Sequence, residues 1–257
     1  ETAFGLFDPS VNTNHYFYLI SQDVSQAEHL RGRKFIGTVL ERKMTRADHA
    51  TVARLFKACR AERGFGLQHY FDEKAESKTF NLQFSIKKTE LIGSIREQCI
   101  QFGFRPRIAE FISTAVDELT MNAIFDAPVD EKGAHFHAQT PRNADLELSG
   151  KQAIEIKLMF DQSLLGLSIA DQFGSLDKSK LWDHHILKSY LKDEYQPKST
   201  SAGAGLGVSS MYHNSGGMIL VSEVGVRTEA MIFFRKSDSV KDFKDQFRFL
   251  TTLMYFS

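Results

Sequence analysis

Between Lys78 and Ile86 the side chains of Phe80, Leu82, Phe84 and Ile86 alternate with polar neighbours. That period of two puts all four on one face of a β-strand. A strand of this kind buries one face and needs a second layer to bury it against. The sequence supplies the layer at once, as helical patterns over residues 89–102 and 107–126 separated by Gly103 and Pro106. Pro128 ends the second, because the residue before a proline is pushed out of the helical region. Ile112, Val116, Leu119 and Ala123 form one stripe at a spacing of about 3.6 residues, the face expected to lie on the sheet. Strands are expected over 153–160 and 164–170, joined across Asp161-Gln162-Ser163, and again over 218–224 and 229–235.

The fold class that follows is α/β, and composition agrees. With 257 residues, 42% of them hydrophobic, the chain can bury one large core or two small ones. Its 32 basic and 32 acidic residues cancel, which removes the broad positive field of a non-specific nucleic-acid or anionic-membrane binder. No nucleic-acid partner is expected, and any polyanion has to be met at a local site. No run reaches the ~20 apolar residues of a membrane span, and no basic start leads into an apolar signal segment, so no membrane span and a cytoplasmic location are expected. Cys59 and Cys99 are too few for a disulfide framework and lack metal-ligand spacing; both are read as buried thiols. The chain begins with Glu1, as a fragment or a processed product would.

The charged residues 72–78 mark the expected boundary between a small α/β regulatory or docking region, 1–76, and a second unit, 77–257. In the first, strand patterns at 16–20 and 34–40 precede a helical pattern through Val52, Leu55, Phe56 and Cys59. That order resembles part of a bacterial receiver domain, without a phosphoacceptor aspartate framed as in that family.

Three elements of the second unit carry chemistry. Glu118 and Asn122, four apart on the helix, project about 40° from each other and one turn along the axis. A solvated helix face explains such a pair equally well when it stands alone. Asp171 closes an apolar strand and is followed by Gly174 and Leu176; a buried carboxylate there can accept from an exocyclic amine, and glycine lets the backbone approach a flat ring. A turn with a capping aspartate is the plainer alternative. Gly203, Gly205, Leu206 and Gly207 precede a short helical segment, where backbone N–H groups and the helix dipole suit phosphate, as does a merely flexible loop.

In this order, Glu118-Leu119-Thr120-Met121-Asn122-Ala123, the Asp-x-x-Gly at 171–174, the Gly-x-Gly-x-Gly at 203–207 and the Gly225-Val226-Arg227-Thr228 stretch resemble the motifs of the GHKL superfamily, the histidine kinase-like or Bergerat-fold ATPases. The likeness covers roughly residues 79–236. It implies an α/β sandwich, a mixed sheet with helices on one face, that binds ATP with Mg²⁺. Asn122 would be the metal ligand, Glu118 the catalytic base, and Asp171 with Thr228 the adenine contacts. Gly174 and Leu176 would line the nucleotide, and Gly203, Gly205, Leu206 and Gly207 would hinge a lid over residues 175–202. Lys178, Lys180, Lys188, Lys192 and Lys198 are the lid's candidate phosphate cations.

The resemblance is closest to the anti-sigma-factor type of serine kinase, because no phosphoacceptor histidine is framed on an upstream helix; His49 lacks the following proline. Asp126 departs from that type, since a carboxylate near phosphates is unfavourable unless a cation offsets it. The expected function is therefore ATP-dependent phosphoryl transfer to a regulatory protein partner. The alternative is a nucleotide-gated interaction module without transfer. Residues 130–150 are a candidate partner surface, and a homodimer is left open.

Overall fold

The computed structural model describes residues 3–4, 16–20, 36–41, 49, 53–54, 57, 64–176, 215–244 and 250–256. Among the described residues nine strands form one sheet: β1 (Ala3–Phe4), β2 (Tyr16–Ile20), β3 (Ile36–Glu41), β4 (Glu76–Leu82), β5 (Ile154–Phe160), β6 (Leu164–Asp171), β7 (Gly217–Glu223), β8 (Arg227–Arg235) and β9 (Leu250–Phe256). Their order across the sheet is β1-β2-β3-β9-β7-β8-β6-β5-β4. The run β4-β5-β6-β8-β7 is antiparallel throughout. The sheet becomes mixed where β9 joins β7 in parallel and β2 joins β3 in parallel. The expected hairpin across 161–163 is present, closed by the Asp161 amide donating to the Leu164 carbonyl at 3.1 Å, with Gln162 at φ 71°.

Three described helices complete the fold: α1 (Lys88–Gln101), α2 (Pro106–Met121) and the short α3 (Val240–Lys244). Pro106 sits at the start of α2, where its missing N–H costs no hydrogen bond and its fixed φ favours the helix. The stripe read from the sequence is buried: Ile112, Val116, Leu119 and Ala123 share a core with Ile156, Leu158, Leu167, Ile169, Leu220, Ile232 and Phe234 from the sheet. An ion pair between Lys88 and Asp117 and another between Arg96 and Glu110 tie α1 to α2. The architecture is an α/β sandwich.

The sheet's second face is covered as well. Alternation along β8 sends Ile232 and Phe234 toward the helices and Met231 and Phe233 away from them, and all four are buried. The cover is the 3₁₀ turn Leu67–Tyr70 and its neighbours. Tyr70 and Phe71 pack on Phe233 with ring centroids 5.7 and 6.2 Å away. Phe71 and Leu67 lie so close to Gly166 that a Cβ there would meet both. Arg54 holds this cover to the β5–β6 turn, bonding Asp72 at 2.7 Å and Asp161 at 3.5 Å.

Two sequence expectations are corrected. The strand expected through Ile86 begins earlier, at Glu76, and stops at Leu82, leaving Phe84 and Ile86 45% and 66% exposed. Its partner β5 runs out opposite Leu82, and the chain pairs instead with residues 144–148. The Ser85 amide donates to the Leu146 carbonyl at 2.9 Å, and the Leu148 amide to the Gln83 carbonyl at 2.7 Å. The second correction is β9, for which no strand was expected. Of the helical pattern in the N-terminal part, Ala53, Arg54 and Lys57 are described and helical.

Candidate functional site

Strand β6 ends at Asp171, on the same face as Leu167 and Ile169, under the helix layer. In register beside it lies Thr228 at the start of β8, and beside that Ser222 on β7. The three polar side chains form one row across three adjacent strands. Thr228 and Ser222 are buried, and their hydroxyl oxygens lie 3.2 Å apart. The Asp171 carboxylate accepts from the Phe173 amide at 2.9 Å and the Gly174 amide at 3.4 Å. Burial pushes its pKa from an ordinary 3.8 up to about 6, against the opposing pull of those two bonds and of two more from Thr228. Ser222 escaped the sequence reading; the alternation of Met218, Leu220 and Ser222 was the available signal.

Gly174 has a structural task that the sequence left unassigned. Its φ is +57°, and a Cβ on it would run into the Glu223 carbonyl oxygen and lie 2.8 Å from the amides of Gly225 and Val226. The Gly225 amide donates to the Gly174 carbonyl at 3.2 Å. The glycine therefore lets the loop after β6 press on the β7–β8 turn, next to the Asp171–Thr228 pair that ends the β6–β8 ladder. Leu176, partly buried, packs on the core.

The loop then reaches the helix layer, where the Ser175 hydroxyl donates to the Ala127 carbonyl at 2.7 Å. Ala127 closes a π-turn, Asn122–Asp126, in which the Ala127 amide bonds to the Asn122 carbonyl five residues back at 2.9 Å. The helix expected to continue regularly to residue 126 thus widens at Asn122. Single π-turns of this kind are rare and concentrate at functional positions. The Asn122 amide still bonds to the Glu118 carbonyl, so the two motif side chains remain one α-helical turn apart. Both are half-buried, and among the described residues neither side chain has a hydrogen-bond or ion-pair partner.

Asp126, the carboxylate that sat badly with phosphates in the sequence, is paired. One Arg142 nitrogen bonds its two oxygens at 2.8 and 3.2 Å, and the other bonds the Met121 carbonyl at 3.4 Å. Arg142 lies in the 130–150 segment, which folds back over the π-turn through a Val129–His135 bridge. Phe136 of that segment meets Phe173 edge-on at 6.4 Å, and His137 meets Phe125 at 6.1 Å. An open cleft of about 320 Å³ lies on the far side of the π-turn, between Ile86, Lys88, Met121, Ile124, Phe125 and Arg142. Of the Glu118–Ala123 motif only Met121 lines it, and among the described site residues Glu118, Asn122, Asp171, Gly174 and Thr228 do not.

The structure thus links the Asp171 and Asn122 neighbourhoods through Ser175 and Ala127. Gly203, Gly205, Leu206 and Gly207 and the five candidate lysines lie outside the described residues. His49 is described and exposed. No group of three or more His, Cys, Asp or Glu side chains able to hold a metal ion occurs among the described residues, and no described helix is long and apolar enough to cross a membrane. Cys99 is buried, as expected, and burial pushes its thiol up to about 12, leaving it protonated at neutral pH.

No protein-family model matches the chain, and no curated protein matches it. Among solved structures, a chain in the crystal structure of the SiaB–SiaC complex from Pseudomonas aeruginosa is similar, at 14% identity and a TM-score of 0.36. The likeness covers 74% of this chain and 99% of that one.

Proposed function

We propose that this chain binds an adenine nucleotide with Mg²⁺ and passes the γ-phosphoryl group to a serine or threonine of a regulatory partner protein. The observation that carries the reading is Asp171, a carboxylate kept under the helix layer at an evident desolvation cost. Perturbed groups of this kind concentrate at functional sites. In this reading Asp171 accepts a hydrogen bond from the adenine amino group, with Thr228 and Ser222 completing the polar row. Asn122 would hold the metal through its amide oxygen, with the Glu118 carboxylate one turn away. Hard oxygen donors, few in number, suit Mg²⁺, which is bound through few protein groups. Bound Mg²⁺ would supply charge neutralisation on the phosphate oxygens. Glu118 takes the proton of the partner's hydroxyl as its oxygen bonds to the γ-phosphorus and the bond to the β-phosphate oxygen breaks, releasing ADP.

A second reading is a nucleotide-gated interaction module without transfer. What favours it is Glu118, whose carboxylate has no orienting partner among the described residues, whereas a general base works best when held in place. Labelled ATP offered with candidate partner proteins separates the two. Transfer that Glu118→Gln abolishes supports the kinase; binding without transfer, indifferent to that change, supports the module.

Asn122→Ala tests the metal assignment. Ligand at a hundredfold excess over Kd stabilises a native state by about 2.7 kcal/mol. The wild type should gain thermal stability from ATP chiefly when Mg²⁺ is present, and the variant should lose that Mg²⁺-dependent part. Stabilisation persisting undiminished in the variant would remove Asn122 from the metal.

A further inference from the structure

We infer that Ser222, buried on β7, is a positioning residue for the adenine contact: its hydroxyl donates to the Thr228 oxygen and so commits the Thr228 proton to the Asp171 carboxylate. For nucleotide binding this rests on the reading above; the direction of the bonding rests on the donors and acceptors of the site. Asp171, Thr228 and Ser222 are partners in register on β6, β8 and β7, on the sheet face that carries Leu167, Ile232 and Leu220 into the helix-side core. Adjacent strands lie ~4.8 Å apart, so Ser222, two strands from Asp171, reaches it only through Thr228. Ser222 is fully buried and Thr228 is 7% exposed, which leaves each hydroxyl to find its partners within the protein.

A hydroxyl has one proton to give and two lone pairs to accept with. The Ser222 and Thr228 oxygens lie 3.2 Å apart, and taken alone either could be the donor. Asp171 breaks the tie. An ionised carboxylate only accepts, and the Thr228 side chain is one of the groups that bond to it and favour its charge. With the Thr228 proton committed there, the hydrogen between the two hydroxyls has to come from Ser222. The chain runs from Ser222 to Thr228 to Asp171, each bond polarising the next, and it ends on an acceptor, as an exocyclic amine requires. The other groups that bond to Asp171 are the amides of Phe173, Gly174 and Thr228; among the described residues no charged side chain joins them.

Ser222→Ala removes the hydroxyl and little volume. In the nucleotide-free protein, the NMR shift of the Asp171 carboxyl carbon followed against pH reads the direction of the chain by its sign. If Ser222 donates, its loss makes Thr228 a poorer donor to the carboxylate, and the Asp171 midpoint rises. If Thr228 donated to Ser222 instead, the same change would free its proton for the carboxylate and the midpoint would fall. In a Thr228→Val background Ser222→Ala should leave the midpoint where it is, because the path through the Thr228 hydroxyl is gone. Ser222→Cys, a weak donor of similar shape, should lie between the wild type and the alanine variant. At a pH where Asp171 is ionised, ATP affinity should fall ~2–10-fold in Ser222→Ala, the range set by the net contribution of one hydrogen bond.

A midpoint that falls or stays unchanged, or one that moves equally in both backgrounds, would overturn the chain. A raised midpoint with ATP affinity unchanged would leave Ser222 a part of the fold's own hydrogen bonding and overturn its role in binding. Failure of the wild type to bind ATP would overturn the nucleotide reading and the binding role with it, while the carboxyl midpoints decide the direction of the chain separately.

Discussion

Asp171→Asn should make the protein more stable at pH 8 and unable to hold adenine. The sign follows from where the carboxyl titrates. Unfolded, Asp171 has its ordinary pKa of 3.8; folded, burial raises it to about 6. Below pH 3.8 both states are protonated and burial of the charge costs nothing. Between 3.8 and about 6 the folded state binds the proton more tightly, so stability is lost as pH rises. Above 6 the loss is complete. At ~1.36 kcal/mol for each pH unit of displacement it amounts to about 3 kcal/mol. Asparagine removes that loss while its side-chain oxygen still accepts from the Phe173 and Gly174 amides. Its NH₂ cannot accept from the Thr228 amide, which takes back about 1 kcal/mol. The net gain, about 2 kcal/mol, should appear as a rise of several degrees in Tm at pH 8. The difference should shrink toward pH 4. The same change replaces an acceptor with a donor facing the adenine amine, so ATP should no longer raise Tm. A variant less stable than wild type at pH 8 would mean that the carboxylate holds the fold together, and the argument for a functional liability would go.

Gly174→Ala is expected to be the most damaging conservative substitution among the residues discussed. Two costs combine. A left-handed φ of +57° is disfavoured for alanine by roughly 1–2 kcal/mol. The new Cβ would also overlap the Glu223 carbonyl oxygen, and that obstacle is backbone rather than the end of a flexible side chain. The β7–β8 turn would have to move away, carrying Thr228 with it. A loss of about 3–5 kcal/mol is expected, read as a fall in the denaturant midpoint, together with weaker ATP binding. Gly225→Ala is the control. Gly225 has a φ of +71° but nothing within 4 Å of its absent Cβ, so it should suffer the conformational cost alone, about 1–2 kcal/mol. Equal effects at the two glycines would show that the close approach of loop and turn is not what makes Gly174 necessary.

What could be read beforehand depended on the range over which each feature is determined. The apolar stripe of α2, the hairpin at 161–163 and the strand ending at Asp171 are written in local periodicity, and each stands where that periodicity put it. The strand past Leu82 is not. Phe84 and Ile86 continue the alternation, but strand length is set by the partner, and β5 ends first. The π-turn is likewise invisible in the local pattern, because Asn122–Asp126 has the composition of ordinary helix. What supports the widening, Arg142, arrives sixteen residues after Asp126. The same sequence distance separates the Asp126 carboxylate from the guanidinium that offsets its charge. The contact that requires glycine at 174 is hidden for the same reason, because the backbone that meets it belongs to the β7–β8 turn and is in place only once β7 and β8 pair.

The place of β9 governs when the sheet can be finished. It lies between β3 and β7, yet it begins about two hundred residues after β3 ends. On a ribosome adding ~5–20 residues per second, that separation is ~10–40 s. Throughout that interval the edge of β3 that will receive β9 is an unpaired ladder of donors and acceptors, the kind of edge on which chains aggregate. The nascent protein therefore has a period of exposure that its finished fold conceals, and its length is fixed by the order of the strands.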